Sequence, residues 1–286
     1  MTEADLDDAR RVCDAAFGGA RDEAAETDPP SIFSEGLFAL RFAADPDGCF
    51  VAVGADGATV GCVISVARGT LGWFGPLATL PSVQRSGAGE SLIRSCLDGW
   101  DRRGVTLRGL ETMGESPFHV GFYGRFGFRP AWTGVAFERA IEPSDMPDGV
   151  EVGGRVPDLD FIYPGLDVSG EVWATTSTRA GWVVTTDDGV ALVHIERTLQ
   201  GSDTAFVPFL AATTRAGFDR LMGAAEHLGS AAGKSSLFTR TSGSAWATSD
   251  ALVGRGYRPG GAFVRMKSGD GVDYDRGDVF YLDNWL

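Results

Sequence analysis

Gly75-Pro76-Leu77-Ala78-Thr79-Leu80-Pro81-Ser82-Val83-Gln84-Arg85-Ser86-Gly87-Ala88-Gly89 is the stretch on which the fold turns. A strand, Gly72 to Leu80, feeds a loop with two glycines. The loop opens directly into an amphipathic helix, Gly89 to Arg103, whose Leu92, Ile93, Cys96, Leu97 and Trp100 share one face. Small residues let the backbone approach an anion, and a helix N-terminus offers free N–H groups with a partial positive charge, so the design suits a diphosphate. The dinucleotide fingerprint GxGxxG fails because the third position after Gly87-Ala88-Gly89 is Leu92. A P-loop fails because no Gly-Lys-Ser/Thr follows. Gly229-Ser230-Ala231-Ala232-Gly233-Lys234-Ser235 mimics one, but it is a residue short and runs from helix to strand.

Working outward, Asp5 to Phe17 and Ser34 to Ala44 carry apolar residues at helical spacing. Phe50 to Val53 and Thr59 to Val66 alternate around Asp56-Gly57, which predicts an antiparallel hairpin. Beyond the central helix come a strand over Leu107 to Thr112, a helix over Pro117 to Phe126 and a strand over Ala131 to Ala140. The pattern predicts an α+β unit: helices, then a mixed, mostly antiparallel sheet with one strand–helix–strand crossover near its middle.

The unit occurs twice. Gly127-Phe128-Arg129-Pro130 returns as Gly256-Tyr257-Arg258-Pro259, and Gly104 as Gly233, both at an offset of 129. Asp56-Gly57 returns as Asp188-Gly189, and Phe74-Gly75-Pro76-Leu77 as Phe206-Val207-Pro208-Phe209, both at 132. The second copy has therefore lost three residues between its Phe-x-Pro and its following helix. Prolines and glycines cluster over Ile141 to Pro157. This predicts an N-terminal domain at 1–142, a linker at 143–157 and a C-terminal domain at 158–286.

Composition removes several classes. With 25 Lys+Arg against 39 Asp+Glu the net charge is -14, which argues against nucleic acid and against an anionic membrane surface, and favours a cationic amine as guest. The longest apolar stretch, Cys49 to Ala67, is interrupted by Asp56 and by glycines and is no membrane span. The start of the chain lacks signal-peptide features. Cys13, Cys49, Cys62 and Cys96 form no CxxC pair and read as free thiols of a reducing, cytoplasmic compartment. His119, His194 and His227 have no metal-ligand spacing, so no metal site is expected. The 23 arginines, two lysines and single asparagine reflect genome or habitat rather than chemistry.

Gln84-Arg85-Ser86-Gly87-Ala88-Gly89 fits Gln/Arg-x-x-Gly-x-Gly/Ala, and Phe122-Tyr123-Gly124-Arg125-Phe126-Gly127-Phe128 fits Tyr-x-x-x-Gly-Phe at the expected distance. In these motifs, and in Leu77-Ala78-Thr79-Leu80-Pro81, the sequence resembles the GNAT superfamily of acyl-CoA-dependent N-acetyltransferases. The likeness is clear over Phe38 to Arg139 and weak over Gly170 to Met266.

The resemblance implies two GNAT-like domains and acetyl-CoA as cosubstrate, with an acetyl group passing to a primary amine of a small molecule by direct attack in a ternary complex. Backbone amides of Arg85, Ser86, Gly87, Ala88 and Gly89 would cradle the CoA diphosphate, with Arg85 or Gln84 adding side-chain contacts. Backbone groups of Leu77, Ala78 and Thr79 would pair with the pantetheine arm, and Ser116 stands where many members carry an Asn that contacts it. Tyr123 would be the general acid for the departing thiolate. Glu111 is the first choice for general base, with Glu115, Glu35 and His119 as alternatives.

By the same offset Tyr123 maps to Leu252 and Glu111 to Arg240, and the diphosphate loop is shortened to Ala211–Gly217 without Gly-x-Gly. The second copy is therefore expected to be degenerate and to shape the acceptor cleft together with Asp22 to Arg41. The competing readings are a non-catalytic acyl-CoA-binding or sensor protein and an assembly scaffold. The acceptor is not legible, and a homodimer stays open.

Overall fold

The computed structural model describes residues 1–18, 35–114, 116–196, 203–271 and 276–285. In the first half, helices α1 (Leu6–Gly18) and α2 (Glu35–Ala44) precede the hairpin β1 (Phe50–Val53) and β2 (Thr59–Arg68). Then come β3 (Leu71–Thr79), α3 (Ala88–Arg102), β4 (Leu107–Thr112), α4 (Pro117–Gly124) and β5 (Arg129–Ala140). After a short β6 (Glu151–Val152) the second half repeats the order: α5 (Ser169–Ser177), β7 (Gly181–Thr186), β8 (Gly189–His194), β9 (Thr204–Ala212), α6 (Arg215–Ala231), β10 (Ser236–Ser242), α7 (Trp246–Gly254) and β11 (Arg258–Ser268). A last strand, β12 (Phe280–Asp283), has no counterpart in the first half.

Local chemistry accounts for these elements. Gly57 takes φ +84° in the β1–β2 turn, where the Asp56 carboxylate accepts from the Ala58 amide at 3.1 Å. The positive φ that closes the helix-to-strand turns recurs in both copies: Gly104 and Gly233 at +72° and +79°, Gly127 and Gly256 at +87° and +86°. Helix α3 buries Leu92, Ile93, Cys96 and Trp100, one face of its amphipathic pattern. All four cysteines are buried and free, as expected of thiols outside a disulfide frame.

The two copies do not build separate sheets. One 12-stranded sheet runs β1-β2-β3-β4-β11-β5-β10-β9-β8-β7-β6, with β12 paired off this path to β9. Strand β11 of the second half lies between β4 and β5 of the first, and β5 lies between β10 and β11 of the second. Each half therefore completes the other. Gly134 pairs with Phe263, residues separated by the repeat offset of 129, so the pseudo-twofold axis passes through that pair.

The faces of the sheet divide the core. Helix α3 covers Val63, Phe74, Leu110 and Phe128, while α6 covers Val184, Val207 and Leu210 of the second half. On the opposite face, residues from both halves share one core, including Leu71, Trp73, Val183, Phe209, Tyr281 and Trp285.

Candidate active site

Strands β3 and β4 pair in parallel from Leu71↔Leu107 to Phe74↔Leu110, and then part. The cause is a bulge in β3: its register with β2 jumps from Ser65↔Phe74 to Val63↔Leu77, so Gly75 and Pro76 oppose Ile64 alone. Beyond the bulge β3 stays paired to β2 through Ala78 and Thr79, while β4 stays paired to β11 through Glu111 and Thr112. A wedge opens between them. Among the described residues no strand pairs with the wedge-facing edge of Leu77–Thr79, and Leu77 and Thr79 remain partly exposed.

The following loop delivers α3 to the mouth of this wedge. Arg85 takes φ +68° and Gly87, the N-cap, φ +96°, and no side chain caps the helix. The amides of Gly89 and Glu90 find no acceptor among the described residues. A Cβ on Gly89 would lie 3.6 Å from Phe122 and 3.8 Å from Thr79, so the first turn rests on α4 and the end of β3. Gln84, Arg85, Ser86 and Gly87 are exposed, and Ser86 Oγ reaches the Ala88 amide at 3.4 Å. The structure thus brings Leu77, Ala78 and Thr79 together with the Gly87–Gly89 amides at one opening. An unpaired strand edge joined to an uncapped helix N-terminus fits an extended arm ending in a diphosphate, the shape of CoA.

Ser116 caps α4, its Oγ accepting from the His119 amide at 3.4 Å, with Pro117 following as the first helical residue. Tyr123 lies on this helix with its ring 5.8 Å from Phe74 and 5.3 Å from Phe122. Burial pushes its phenol up to about 12, which keeps the proton on the oxygen. His119 is a helix-surface residue, its ring 5.7 Å from Phe118. Glu115 and the side chain of Glu35 lie outside the described residues.

Glu111, the first choice for general base, is engaged by two arginines. Its side chain is 1% exposed, with Oε1 accepting from Arg265 Nε at 2.8 Å and Oε2 from Arg240 at 3.1 Å. Arg265 in turn donates to the Asp283 carboxylate at 2.6 Å and to its carbonyl at 3.0 Å. Both carboxylate oxygens of Glu111 are thus taken up by buried guanidinium groups. A Cβ on Gly134 would come within 3.0 Å of Arg265 Nε and 3.1 Å of Glu111 Oε1, so the ion pairs need a glycine on the pseudo-twofold axis. The repeat maps Glu111 onto Arg240, and near the axis these equivalent positions meet.

The second half has the same wedge, and the chain fills it. Strands β9 and β10 pair from Thr204↔Ser236 to Phe206↔Phe238 and Val207↔Thr239. Past that point β12 pairs antiparallel with β9, through Asp283↔Phe209, Leu282↔Leu210 and Tyr281↔Ala211. The counterparts of Leu77, Ala78 and Thr79 are thus bonded to the chain's own strand, and every residue of β9 is buried. At the helix end, Thr214 Oγ1 accepts from the Gly217 amide at 3.0 Å, capping α6. The Asp188 carboxylate lies against Gly217, accepting from Thr214 and Thr186 and pairing with Arg220. Burial raises the Asp188 pKa, but those hydroxyl bonds and Arg220 outweigh it and hold it below the ordinary 3.8. Neither β12 nor Asp188 was expected in this role. The only hint was the loss of Gly-x-Gly.

Residues 45–130 match the family model described as acetyltransferase (GNAT) domain. Among solved structures, a putative acetyltransferase from Pyrococcus horikoshii shares the fold at TM-score 0.72 and 17% identity, over 100% of this chain and 93% of that one. A GCN5-related N-acetyltransferase from Sphaerobacter thermophilus aligns at TM-score 0.59 and 13% identity, over 96% of each chain. A tandem GNAT protein from the clavulanic acid biosynthesis pathway aligns at TM-score 0.52 and 14% identity, over 95% of this chain and 96% of that one. No curated protein matches the sequence. Among the described residues no cluster could hold a metal ion, and no helix is long and apolar enough to cross a membrane. Residues 45–130 thus match a GNAT acetyltransferase domain, and the GNAT fold is carried through both halves of the chain.

Proposed function

We propose that the protein transfers an acetyl group from acetyl-CoA to a primary amine of a small molecule, by direct attack within a ternary complex, using the first half's wedge alone. The observation that carries this reading is the contrast between an open wedge with an uncapped helix and a repeat of it closed by β12 and Asp188. Acetyl-CoA supplies an activated thioester. The chain's residues then do the rest. The free edge of Leu77–Thr79 bonds the pantetheine amides and fixes the arm in an extended form. Amides at Gly87, Ala88 and Gly89 meet the diphosphate, with Arg85 or Gln84 adding charge or hydrogen bonds. Ser116 is committed to capping α4, so its part is to place Tyr123.

Tyr123 holds its proton across the working pH range and donates it to the leaving sulfur. With Glu111 committed to two arginines, the acceptor amine sheds its proton to water before attack. Much of the rate comes from holding amine and thioester together. The reading is tested by assaying CoA thiol release with an amine panel: turnover is expected with wild type and a collapse in Tyr123→Phe. Acetyl-CoA binding without turnover on any amine would favour the sensor reading instead.

A further inference from the structure

On the face of the sheet opposite α3, a cavity of ≈ 30 Å³ opens between the halves. That is room for about two waters or one carboxylate-sized group. Its polar lining is Arg41 from α2, Arg68 from β2, Glu171 and Thr175 from α5, His194 from β8, and Asn284 and Trp285. Arg68 is paired with Glu171 and stacked on the Trp285 ring at 4.4 Å. His194 Nε2 lies 2.9 Å from Thr175 Oγ1, and burial, then Arg41, push its pKa down to about 3, so it adds no charge.

Two groups are left over. Asn284, the chain's one asparagine, is 2% exposed, yet neither its Oδ1 nor its Nδ2 finds a partner among the described residues. Arg41 donates to the Trp285 carbonyl at 2.8 Å, but no carboxylate among the described residues lies within ion-pair distance of it. Buried amides and charges are ordinarily paired, and leaving one orphaned is costly. The ion pairs Asp283–Arg265–Glu111 lead from the cavity, beside Asn284, to the β4 side of the wedge.

We propose that this cavity binds a carboxylate through Arg41 and Asn284, and that the acceptor is therefore an amine that also carries a carboxylate. The second clause rests on the acetyl-transfer reading; the first does not. Three ligands of equal chain length separate the cases: succinate, 4-aminobutyrate and 1,4-diaminobutane, titrated calorimetrically into the full chain with acetyl-CoA binding measured in parallel. The two carboxylates should bind, and the diamine at least 10-fold more weakly. Asn284→Asp puts a carboxylate into the cavity. It should abolish binding of both carboxylates, raise the melting temperature and leave the acetyl-CoA titration unchanged. Arg41→Gln should weaken carboxylate binding at least 10-fold. A diamine that binds as well as the carboxylates, or carboxylates that fail to bind a chain that takes up acetyl-CoA, would overturn the proposal. So would an Asn284→Asp variant that melts lower and still binds them. Carboxylate binding by a chain that does not bind acetyl-CoA would remove the transferase reading and leave the anion site standing.

Discussion

The same wedge occurs twice in this molecule, once open and once closed, and the closed one shows the shape and charge that fill such a wedge. Along β3, Leu77–Thr79 presents a strand edge with no partner; along β9, Phe209–Ala211 is bonded to β12. At α3 the helix N-terminus has no side-chain cap; at α6 it has Thr214 and, against it, the Asp188 carboxylate. The second half thus supplies an extended strand and an anion from its own chain. These are the two features that an acyl-CoA arm and its diphosphate would bring to the first. Having lost its glycine loop and its tyrosine, the second half kept the geometry and satisfied it internally.

The comparison can be strained in several ways. Because β11 and β5 are exchanged, residues 1–142 alone lack the neighbour of β4 and the ion-pair partners of Glu111. That fragment should show no cooperative unfolding transition by circular dichroism, whereas the full chain should; a cooperative transition in the fragment would mean that the halves are independent.

Tyr123→Phe should lower kcat by about 10²–10⁴-fold with acetyl-CoA affinity retained. In wild type the acid form of Tyr123 is lost only as pH rises through about 12, so kcat should show no falling limb from it below that pH. Glu111→Gln leaves Arg240 and Arg265 short of a counter-charge and should cost about 3–5 kcal/mol in urea unfolding. If the amine loses its proton to water, the variant's pH–rate profile should keep its wild-type shape; a profile that lost its rising limb would return Glu111 to the role of base.

Asp188→Asn should cost about 1 kcal/mol, from the lost charge at the α6 N-terminus. The sign of its pH dependence is set by a folded pKa below the ordinary 3.8. Its contribution is fully present above the unfolded value and fades as pH falls through the folded one. Wild type and variant should therefore converge in stability as the pH falls through that depressed folded value.

The strand–loop–helix segment of the candidate site was legible because its parts are local. Strand, glycine loop and helix are contiguous over Gly75–Gly89, and Tyr123 sits at a fixed spacing from Gly127-Phe128. The repeat was legible because both copies keep their turn glycines. Strand exchange was not, since the pairing of β5 with β11 leaves no mark on the periodicity of either strand. Four residues at 280–283 carry too little pattern to be assigned a partner. Glu111 is the instructive case. Its offset partner Arg240 reads in the sequence as the loss of a carboxylate, whereas opposite charges at equivalent positions near a twofold axis form an ion pair. The partner Arg265 lies across the sheet register and has no sequence signal.

The most direct test of the contrast between the halves is a calorimetric titration of the full chain with acetyl-CoA. One molecule should bind per chain, and binding should be lost when Gly87 and Gly89 are both replaced by Val but kept when Gly217 on α6 is replaced by Ala. Two molecules bound per chain, or one that survives the Gly87/Gly89 replacement, would contradict it.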